Sequence, residues 1–335
     1  MKRSMITVLI VVLMAGGFAQ AGRQTYELTP FDGYTGIQAS AINDSGMVVG
    51  YCTNPSGALL KSFVWTPSGG MVALEDQTYA RDVNSSGMIV GENKNGDSLY
   101  WSDSTSASQK ITAAGTNGGI AIGVNDAGQV VGRTGYTEAN PRVGYLWDAT
   151  NGITLISETQ QANAVNSSAE VVGNQQFRWT ASGGLVKIGT DDDTWGTVYD
   201  INDAGTAVGY LGDTGGFMQT SDGTITALGT LSGCSNSYAM GINELGQVVG
   251  DCDYGSKAFL YEGGTMTAVE DLLDAGSGWS DLKYANDINE NGWIVGTGTL
   301  NGESAAFVMV PEPATMSLLA LGGLGVLLRR RRRTA

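Results

Sequence analysis

Short apolar runs, separated by Gly, Asn, Asp and Ser, follow one another along most of this chain. In one representative stretch the runs cover 238–242, 247–250, 257–261 and 266–269, with turn residues at 243–246 and 263–264. Runs rich in Val, Ile and aromatic residues and bounded by such turns predict β-strands joined as hairpins. Between the chain ends no stretch keeps a helical period. The pattern therefore predicts four-stranded antiparallel units.

One phrase marks every unit: Ile or Val and Asn, then a turn, then Val-Gly. Its asparagines are Asn43, Asn84, Asn125, Asn166, Asn202, Asn243 and Asn289, mostly 41 residues apart. A fixed period of this length indicates a repeat architecture. Seven such repeats fill 22–310, which we predict to be one domain.

The predicted strands are offset by one relative to the seven repeats. Third strands are predicted around Phe63, Leu99, Tyr145, Phe177, Phe217, Phe259 and Phe307, but only the first six are followed by a fourth strand. The missing strand stands before the first repeat, at 25–29. This offset predicts an all-β, seven-bladed β-propeller whose ring is closed by the N-terminal strand. An open β-solenoid is the alternative, although it would not need the offset. The recurring Trp65, Trp101, Trp147 and Trp179 are predicted to pack between blades.

Both chain ends are predicted to lie outside the domain. Lys2 and Arg3 precede an apolar run and the small-residue site 19–21, so 1–21 is a predicted signal peptide. At the other end, 311–335 contains Pro311, Glu312 and Pro313, an apolar stretch at 316–328, and an arginine cluster that includes Arg329, Arg330 and Arg331. The arginines would stay cytoplasmic. The apolar stretch is short for a permanent span of roughly 20 residues, which favours transient insertion into the inner membrane.

These C-terminal residues resemble the PEP-CTERM sorting signal of Gram-negative bacteria. The resemblance implies an exported protein that an exosortase recognises, often in species that make exopolysaccharide. The repeats also resemble the extracellular HAF family, which has an Ile-Asn-Asp-x-Gly-x-Val-Val-Gly phrase and a His-Ala-Phe strand. Residues 257–261 match that strand except at its histidine. No defined activity accompanies the HAF resemblance.

The net charge of the mature chain narrows the choice of binding partners. Without the two ends, and with a cut after Pro313, 11 basic and 33 acidic residues remain, a net charge near −22. Such a surface disfavours nucleic acid and anionic lipid.

In an oxidising compartment Cys234 and Cys252, which belong to one repeat, are the favoured disulfide pair. Cys52 would remain a free thiol.

The chain has no histidine. This excludes Ser-His-Asp triads, Cys-His pairs and histidine-ligated metals. The Asn-Asp-x-Gly phrase resembles the start of an EF-hand loop, but the glutamate twelve positions in is Gly298 in one copy and Leu211 in another. We therefore interpret the phrase as a hairpin turn and predict no metal or cofactor; calcium stays the alternative.

Aromatic residues in the connections between units suggest a binding face. Tyr34, Trp195, Tyr238 and Trp279 occupy connections that would emerge on one face of the ring, beside Asp192 and Asp281. Aromatic faces flanked by acids suit sugar rings, although anchoring of the long loops is the simpler explanation of the aromatics. The predicted function is a cell-surface or matrix module, binding or structural, with exopolysaccharide as its partner. The alternative is a carboxylate-based glycosidase.

Overall fold

The computed structural model describes residues 23–311, except 57–59, 113–117, 137–140, 190–194 and 275. The predicted signal peptide, Asp192, and the sorting residues Glu312, Pro313 and Arg329 to Arg331 therefore lie outside the described residues. The described chain forms 28 strands in seven four-stranded antiparallel sheets, so the predicted seven-bladed propeller is confirmed.

The blades follow the chain in order, and the strands have these bounds. Blade 1 contains β2 (Gly36–Ile42), β3 (Val48–Thr53), β4 (Leu60–Thr66) and β5 (Gly70–Asp76). Blade 2 contains β6 (Thr78–Val83), β7 (Ile89–Asn93), β8 (Ser98–Trp101) and β9 (Gln109–Lys110). Blade 3 contains β10 (Gly119–Val124), β11 (Val130–Thr134), β12 (Gly144–Asp148) and β13 (Gly152–Ile156). Blade 4 contains β14 (Ala162–Val165), β15 (Val171–Gly173), β16 (Phe177–Thr180) and β17 (Gly184–Lys187).

The remaining blades complete the ring. Blade 5 contains β18 (Gly196–Ile201), β19 (Ala207–Leu211), β20 (Gly215–Gln219) and β21 (Ile225–Ala227). Blade 6 contains β22 (Ser237–Ile242), β23 (Val248–Cys252), β24 (Lys257–Glu262) and β25 (Thr265–Ala268), followed by a 3₁₀ helix at Val269–Leu272. Blade 7 contains β26 (Trp279–Ile288), β27 (Ile294–Leu300), β28 (Glu303–Val310) and β1 (Gln24–Leu28). Because β1 pairs with β28, the first strand of the described chain closes the last blade, as the offset predicted.

The core lies between blades. One cluster joins Val48 and Phe63 of blade 1 to Val295 and Val308 of blade 7, and the other clusters join neighbouring blades in the same way. Trp65 belongs to the first of these clusters and contacts Tyr26 of β1. No blade can bury both of its faces alone, so closure of the ring completes the burial of every blade.

The asparagines of the repeated phrase form a closed ring, here called the asparagine ring. Each buried side chain donates its Nδ2–H to the backbone oxygen of the asparagine in the next blade, at 2.9–3.1 Å, and the seventh, Asn289, returns to Asn43. Each Oδ1 accepts the backbone N–H four residues later, as Asn43 does from Met47 at 2.9 Å. One residue type therefore shapes the turn and links the blades.

The phrase's acids are also engaged. Asp126, Asp203, Glu244, Glu290 and Asp44 each accept a backbone N–H from the turn of the preceding blade. In the part of the chain that the structure describes, no group of three or more Cys, Asp or Glu side chains is placed to hold a metal ion. The structure thus builds a hairpin turn from the sequence that resembled a calcium loop.

The ring has two distinct faces. The turn face carries the asparagine phrases, and the loop face carries the connections between blades together with the loops between second and third strands. Both described ends of the chain lie on the turn face: Arg23 donates to the Gly292 carbonyl at 2.8 Å, and the ring of Pro311 lies beside Gly292. The first strand of every blade lines the central channel.

Candidate functional site

The central channel holds a cavity of about 330 Å³, and three aspartates line it. Asp82, Asp200 and Asp287, here called the channel aspartates, sit at bulges in β6, β18 and β26. Each accepts two backbone N–H groups, one from the following residue and one from the next blade, at 2.7–2.9 Å. They therefore join blades 2 and 3, 5 and 6, and 7 and 1.

Burial dominates the acidity of these groups. It raises the pKa of Asp82 to about 6 against the lowering effect of its two N–H donors, and it raises the pKa of Asp200. The pKa of Asp287 is raised well above its usual range by burial and by the charges of Asp200 and Asp82. On the loop face, burial and the nearby Asp253 raise the pKa of Asp251 to about 6.

These raised pKa values predict that the propeller is more stable in mild acid. A carboxyl that binds its proton more tightly when folded contributes stability that is complete below its unfolded pKa and is lost as pH rises through the folded value. Between pH 8 and pH 5 we expect the free energy of unfolding to rise by roughly 1 kcal/mol each for Asp82 and Asp251. Urea denaturation at several pH values measures this. The Asp82→Asn, Asp251→Asn double variant should show a flatter profile; a wild-type protein no more stable at pH 5 than at pH 8 contradicts the prediction.

The loop face carries a row of aromatic rings, here called the aromatic shelf: Trp195, Tyr210, Tyr238, Tyr254 and Tyr284. The ring centroids of Trp195 and Tyr210 are 5.0 Å apart, those of Tyr210 and Tyr238 are 4.6 Å apart and stacked, and those of Tyr238 and Tyr254 are 4.5 Å apart. Tyr284 donates its hydroxyl to the Tyr254 carbonyl at 2.9 Å. The shelf thus extends from blade 5 to blade 7.

The shelf combines a buried centre with exposed ends. Tyr210 and Tyr238 are buried, and burial raises the pKa of both, so each phenol stays protonated at neutral pH. Trp195 is 56 % exposed and Tyr254 is 70 % exposed. Exposed apolar rings that form one contiguous patch often mark a contact site for a partner. The exposed rings of Trp195 and Tyr254 therefore pack on the buried rings of Tyr210 and Tyr238.

The loop that presents Tyr254 is strained and held in place. Asp253 and Tyr254 both have left-handed φ angles, 46° and 55°, a conformation that costs energy in residues other than glycine. The Asp253 carboxylate accepts the backbone N–H groups of Ser235 and Asn236, and Asp251 accepts that of Gly255 at 2.7 Å. A β-carbon at Gly255 would lie 2.1 Å from the Tyr284 ring. The carboxylates therefore fix the position of the exposed ring.

The structure brings together only part of the predicted face. Trp195 and Tyr238 both belong to the shelf, joined through Tyr210. Trp279 instead packs edge-on against Phe307, with ring centroids 5.8 Å apart, inside the core cluster between blades 6 and 7. Tyr34 packs on the cluster between blades 7 and 1, with the Lys61 amine 5.8 Å from its ring.

The predicted acids have separate outcomes. Asp281 is exposed on β26, three residues before Tyr284, with a left-handed φ of 47°. No side-chain contact joins it to the shelf within the described residues. Asp192 lies outside them. The structure does place Asp251 and Asp253 at the shelf, and the charge of Asp213 adds to the rise in the pKa of Tyr210 that burial causes. None of these three acids was predicted from the sequence.

The cysteines are free thiols in the structure, so the predicted bridge is not formed there. Cys234 and Cys252 are nevertheless neighbours in the core cluster between blades 5 and 6. Burial raises the pKa of the Cys252 thiol to about 12, and the adjacent Cys234 thiol adds to this rise. A neutral thiol such as that of Cys252 reacts slowly by itself. A bridge in the exported, oxidised protein stays a prediction. Cys52 is buried in another cluster.

Comparison with known proteins identifies the C-terminal signal and the fold. Residues 310–333 match the PEP-CTERM protein-sorting motif, which implies export and processing by an exosortase. Among the described residues no helix is long and apolar enough to cross a membrane, and the predicted sorting helix lies beyond them. No curated protein matches the chain. The resemblance to HAF repeats stays a prediction.

Solved propellers share the fold at low identity. Virginiamycin B lyase from Staphylococcus aureus superposes with a TM-score of 0.58 at 10% identity, covering 86% of this chain and 99% of that one. A streptogramin B lyase gives 0.59 at 12% identity, covering 88% and 100%. YCF48 bound to D1 peptide gives 0.52 at 10% identity, covering 86% and 95%. At these identities the likeness establishes the architecture and leaves the activity open.

Proposed function

We propose that this protein is an exosortase-sorted cell-surface or matrix module that binds exopolysaccharide on its aromatic shelf. The observation that carries the proposal is the exposure of Trp195 and Tyr254 on a base of stacked, buried tyrosines. Flat aromatic faces fit the apolar faces of sugar rings, and protonated phenols and carboxylates bond to sugar hydroxyls. The proposal keeps the predicted domain limits, with 1–21 as signal peptide, 22–310 as propeller and 311–335 as sorting signal.

The placement of the chain ends supports the proposal. Pro311, where the sorting signal begins, lies on the turn face beside Gly292, whereas the shelf lies on the loop face. A protein held by its C-terminal segment would therefore present the shelf away from the membrane. Transient anchoring and later release are both compatible with a free binding face.

Binding fits this surface better than glycan hydrolysis. A glycosidase needs two carboxyl groups that face the same sugar. Asp251 accepts the backbone N–H of Gly255 in its own loop, and Asp253 accepts those of Ser235 and Asn236 in the connection that precedes β22. One solved neighbour is a catalytically inactive histidine-to-alanine variant of virginiamycin B lyase with quinupristin, and this chain has no histidine. These observations favour a binding role without turnover.

The first test is a titration of residues 23–311 with polysaccharide extracted from the producing bacterium. This part contains all strands of the closed ring and therefore folds alone. We expect saturable binding without release of reducing sugar, and roughly tenfold weaker binding in Trp195→Ala and in Tyr254→Ala, since each loses one stacking face. Repeating the titration in EDTA tests the calcium alternative.

Trp147→Ala is the matched control. Trp147 also pairs with a tyrosine, Tyr100, at 5.2 Å between centroids, but it lies towards the turn face. Its replacement should leave binding unchanged. An unaltered affinity in the two shelf variants would remove the shelf as the site. A wild-type protein that does not bind would leave a structural surface protein, and steady release of reducing sugar would favour the enzyme.

A further inference from the structure

Three arginines of this acidic chain meet at blades 2 and 3, on the same side of the ring as the shelf. Arg81 stands on β6 and lines the channel, Arg133 stands near the end of β11, and Arg142 precedes β12. They are called the arginine cluster below. Their positive charge is unusual in a protein with a formal net charge of −15.

The described residues supply one carboxylate to this cluster. Glu92, buried at 4 % exposure, engages Arg81: Nε contacts Oε1 and Oε2 at 3.2 and 3.0 Å, and Nη2 contacts Oε1 at 2.5 Å. Arg133 and Arg142 form no ion pair and no side-chain hydrogen bond with any described residue. In the part of the chain that the structure describes, one carboxylate thus faces three guanidinium groups.

Arg133 carries most of this imbalance. It is half-buried, and burial together with the charges of Arg142 and Arg81 lowers its pKa, against a smaller opposing effect of the Glu92 charge. A guanidinium in this position is poorly solvated and repelled by its neighbours, and an anion beside it would relieve both effects. Guanidinium groups bind planar carboxylates through two parallel hydrogen bonds, which makes arginine the preferred residue for such anions.

The repeat relates the cluster to the shelf. The residue that follows each Val-Gly of the phrase stands near the channel mouth on the loop face: Tyr51, Glu92, Arg133, Asn174, Tyr210, Asp251 and Thr297. Tyr51 and Tyr210 each pack on a tyrosine of the next blade. Aromatic and cationic groups therefore occupy equivalent places around one opening.

We propose that the arginine cluster is the subsite for a carboxylate-bearing sugar, a uronic acid residue of an acidic polysaccharide that crosses the loop face, so that other sugars of the same polymer stack on the aromatic shelf. This inference rests on the proposed function and specifies its ligand. Arg133 and Arg142 bind the carboxylate, while Arg81 stays paired with Glu92 and supports the positive potential. An otherwise acidic surface repels polyanions elsewhere, so the cluster also fixes where the polymer approaches.

The test compares polygalacturonate with its fully methyl-esterified form, which keeps the sugar chain and removes the charge. With residues 23–311 we expect tighter binding of the charged polymer, and a difference that shrinks as salt is raised. Arg133→Ala and Arg142→Ala should each weaken binding of the charged polymer roughly tenfold, the lower end for a bond to a charged group. Neither should change binding of the ester.

Lys257→Ala is the matched control, because it removes one exposed positive charge at the loop-face end of β24 in blade 6. It should leave the ratio of the two affinities nearly unchanged. A preference for the charged polymer that survives in the Arg133→Ala, Arg142→Ala double variant overturns the proposal. If both polymers bind equally and this binding is lost in Trp195→Ala, the acidic subsite is overturned and the shelf is kept as the binding site. If neither polymer binds, the uronate ligand is overturned. The titration with extracted polysaccharide then tests the proposed function separately.

Discussion

Gly250→Ala is expected to destabilise the propeller by more than about 4 kcal/mol, the range seen when a side chain is forced into backbone. A β-carbon at Gly250 would lie 1.9 Å from the Tyr238 carbonyl oxygen and 2.9 Å from the Phe259 ring. The Tyr238 oxygen belongs to the neighbouring strand of the same blade, so it cannot move without breaking the pairing of β22 with β23. Domains are commonly stable by only about 5–15 kcal/mol, so the protein should be largely unfolded or insoluble.

Gly246→Ala provides the matched control in the same repeat. Gly246 has a left-handed φ of 73°, but a β-carbon there would meet nothing within 4 Å. Its replacement costs only backbone strain, about 1–2 kcal/mol. Urea denaturation of both variants, followed by circular dichroism, measures the two costs. A Gly250→Ala protein as stable as Gly246→Ala would show that the strands separate easily, contrary to the packing described here.

The same close approach occurs in every blade. At the last glycine of the phrase a β-carbon would lie 1.8–2.1 Å from a carbonyl oxygen of the first strand, at Gly50, Gly91, Gly132, Gly173, Gly209, Gly250 and Gly296. The sequence pattern explains the turn glycine, since Asn-x-x-Gly needs a positive φ. The reason for the last glycine is a contact between strands, which no local pattern shows.

The repeat and its offset predicted the fold correctly for a physical reason. A fixed period means that identical units stack on each other, and a strand missing at one end with a spare at the other requires a closed ring. Burial between blades then follows from the alternation within strands. Such global features depend on counting and spacing, which the sequence contains in full.

The site was less predictable because it depends on where side chains point. Tyr34 lies in a connection, as Trp195 does, and Trp279 begins β26 where another connection ends, yet both pack against the core between blades. Conversely, Tyr210 stands on a second strand and was not selected, although it joins Trp195 to Tyr238. A useful signal was present: the residue after each Val-Gly changes from blade to blade while the phrase stays constant. A position that varies at a constant place in a ring indicates a surface adapted to a ligand.

The channel aspartates illustrate a second limit. Asp82, Asp200 and Asp287 each stand directly before the Ile or Val of the phrase. Gly123 occupies this place in the blade after that of Asp82, and Gly241 occupies it in the blade after that of Asp200. The alternation of an acid with a small residue can be read from the sequence, but the hydrogen bonds between blades that it serves cannot. These bonds follow from the bulges, which turn each carboxylate towards the N–H of the next blade.

Asn243→Ala is expected to lower the free energy of unfolding by about 3–4 kcal/mol. Asn243 is 2 % exposed, donates to the Asn289 carbonyl at 3.0 Å and to Gln247 Oε1 at 2.7 Å, and accepts from the Gln247 N–H at 3.0 Å. Alanine leaves the buried N–H and Oε1 of Gln247 without these partners, whereas the Asn289 carbonyl still accepts the Gly292 N–H at 2.9 Å. Each unpaired buried group costs about 1–3 kcal/mol. Because the ring is closed, the loss also loosens blade 6 from blade 7.

Asn243→Asp and Leu245→Ala make this prediction specific to the amide. Aspartate keeps the oxygen that accepts the Gln247 N–H, but it places a second oxygen against the Asn289 carbonyl and Gln247 Oε1, so we expect a loss at least as large as for alanine at pH 8. Leu245, in the same turn, is 71 % exposed, and its replacement should change stability by less than about 0.5 kcal/mol. The three variants are compared with wild type by urea denaturation. If Asn243→Ala were no more destabilising than Leu245→Ala, the asparagine ring would contribute nothing to stability, and packing between blades would have to hold the propeller together alone.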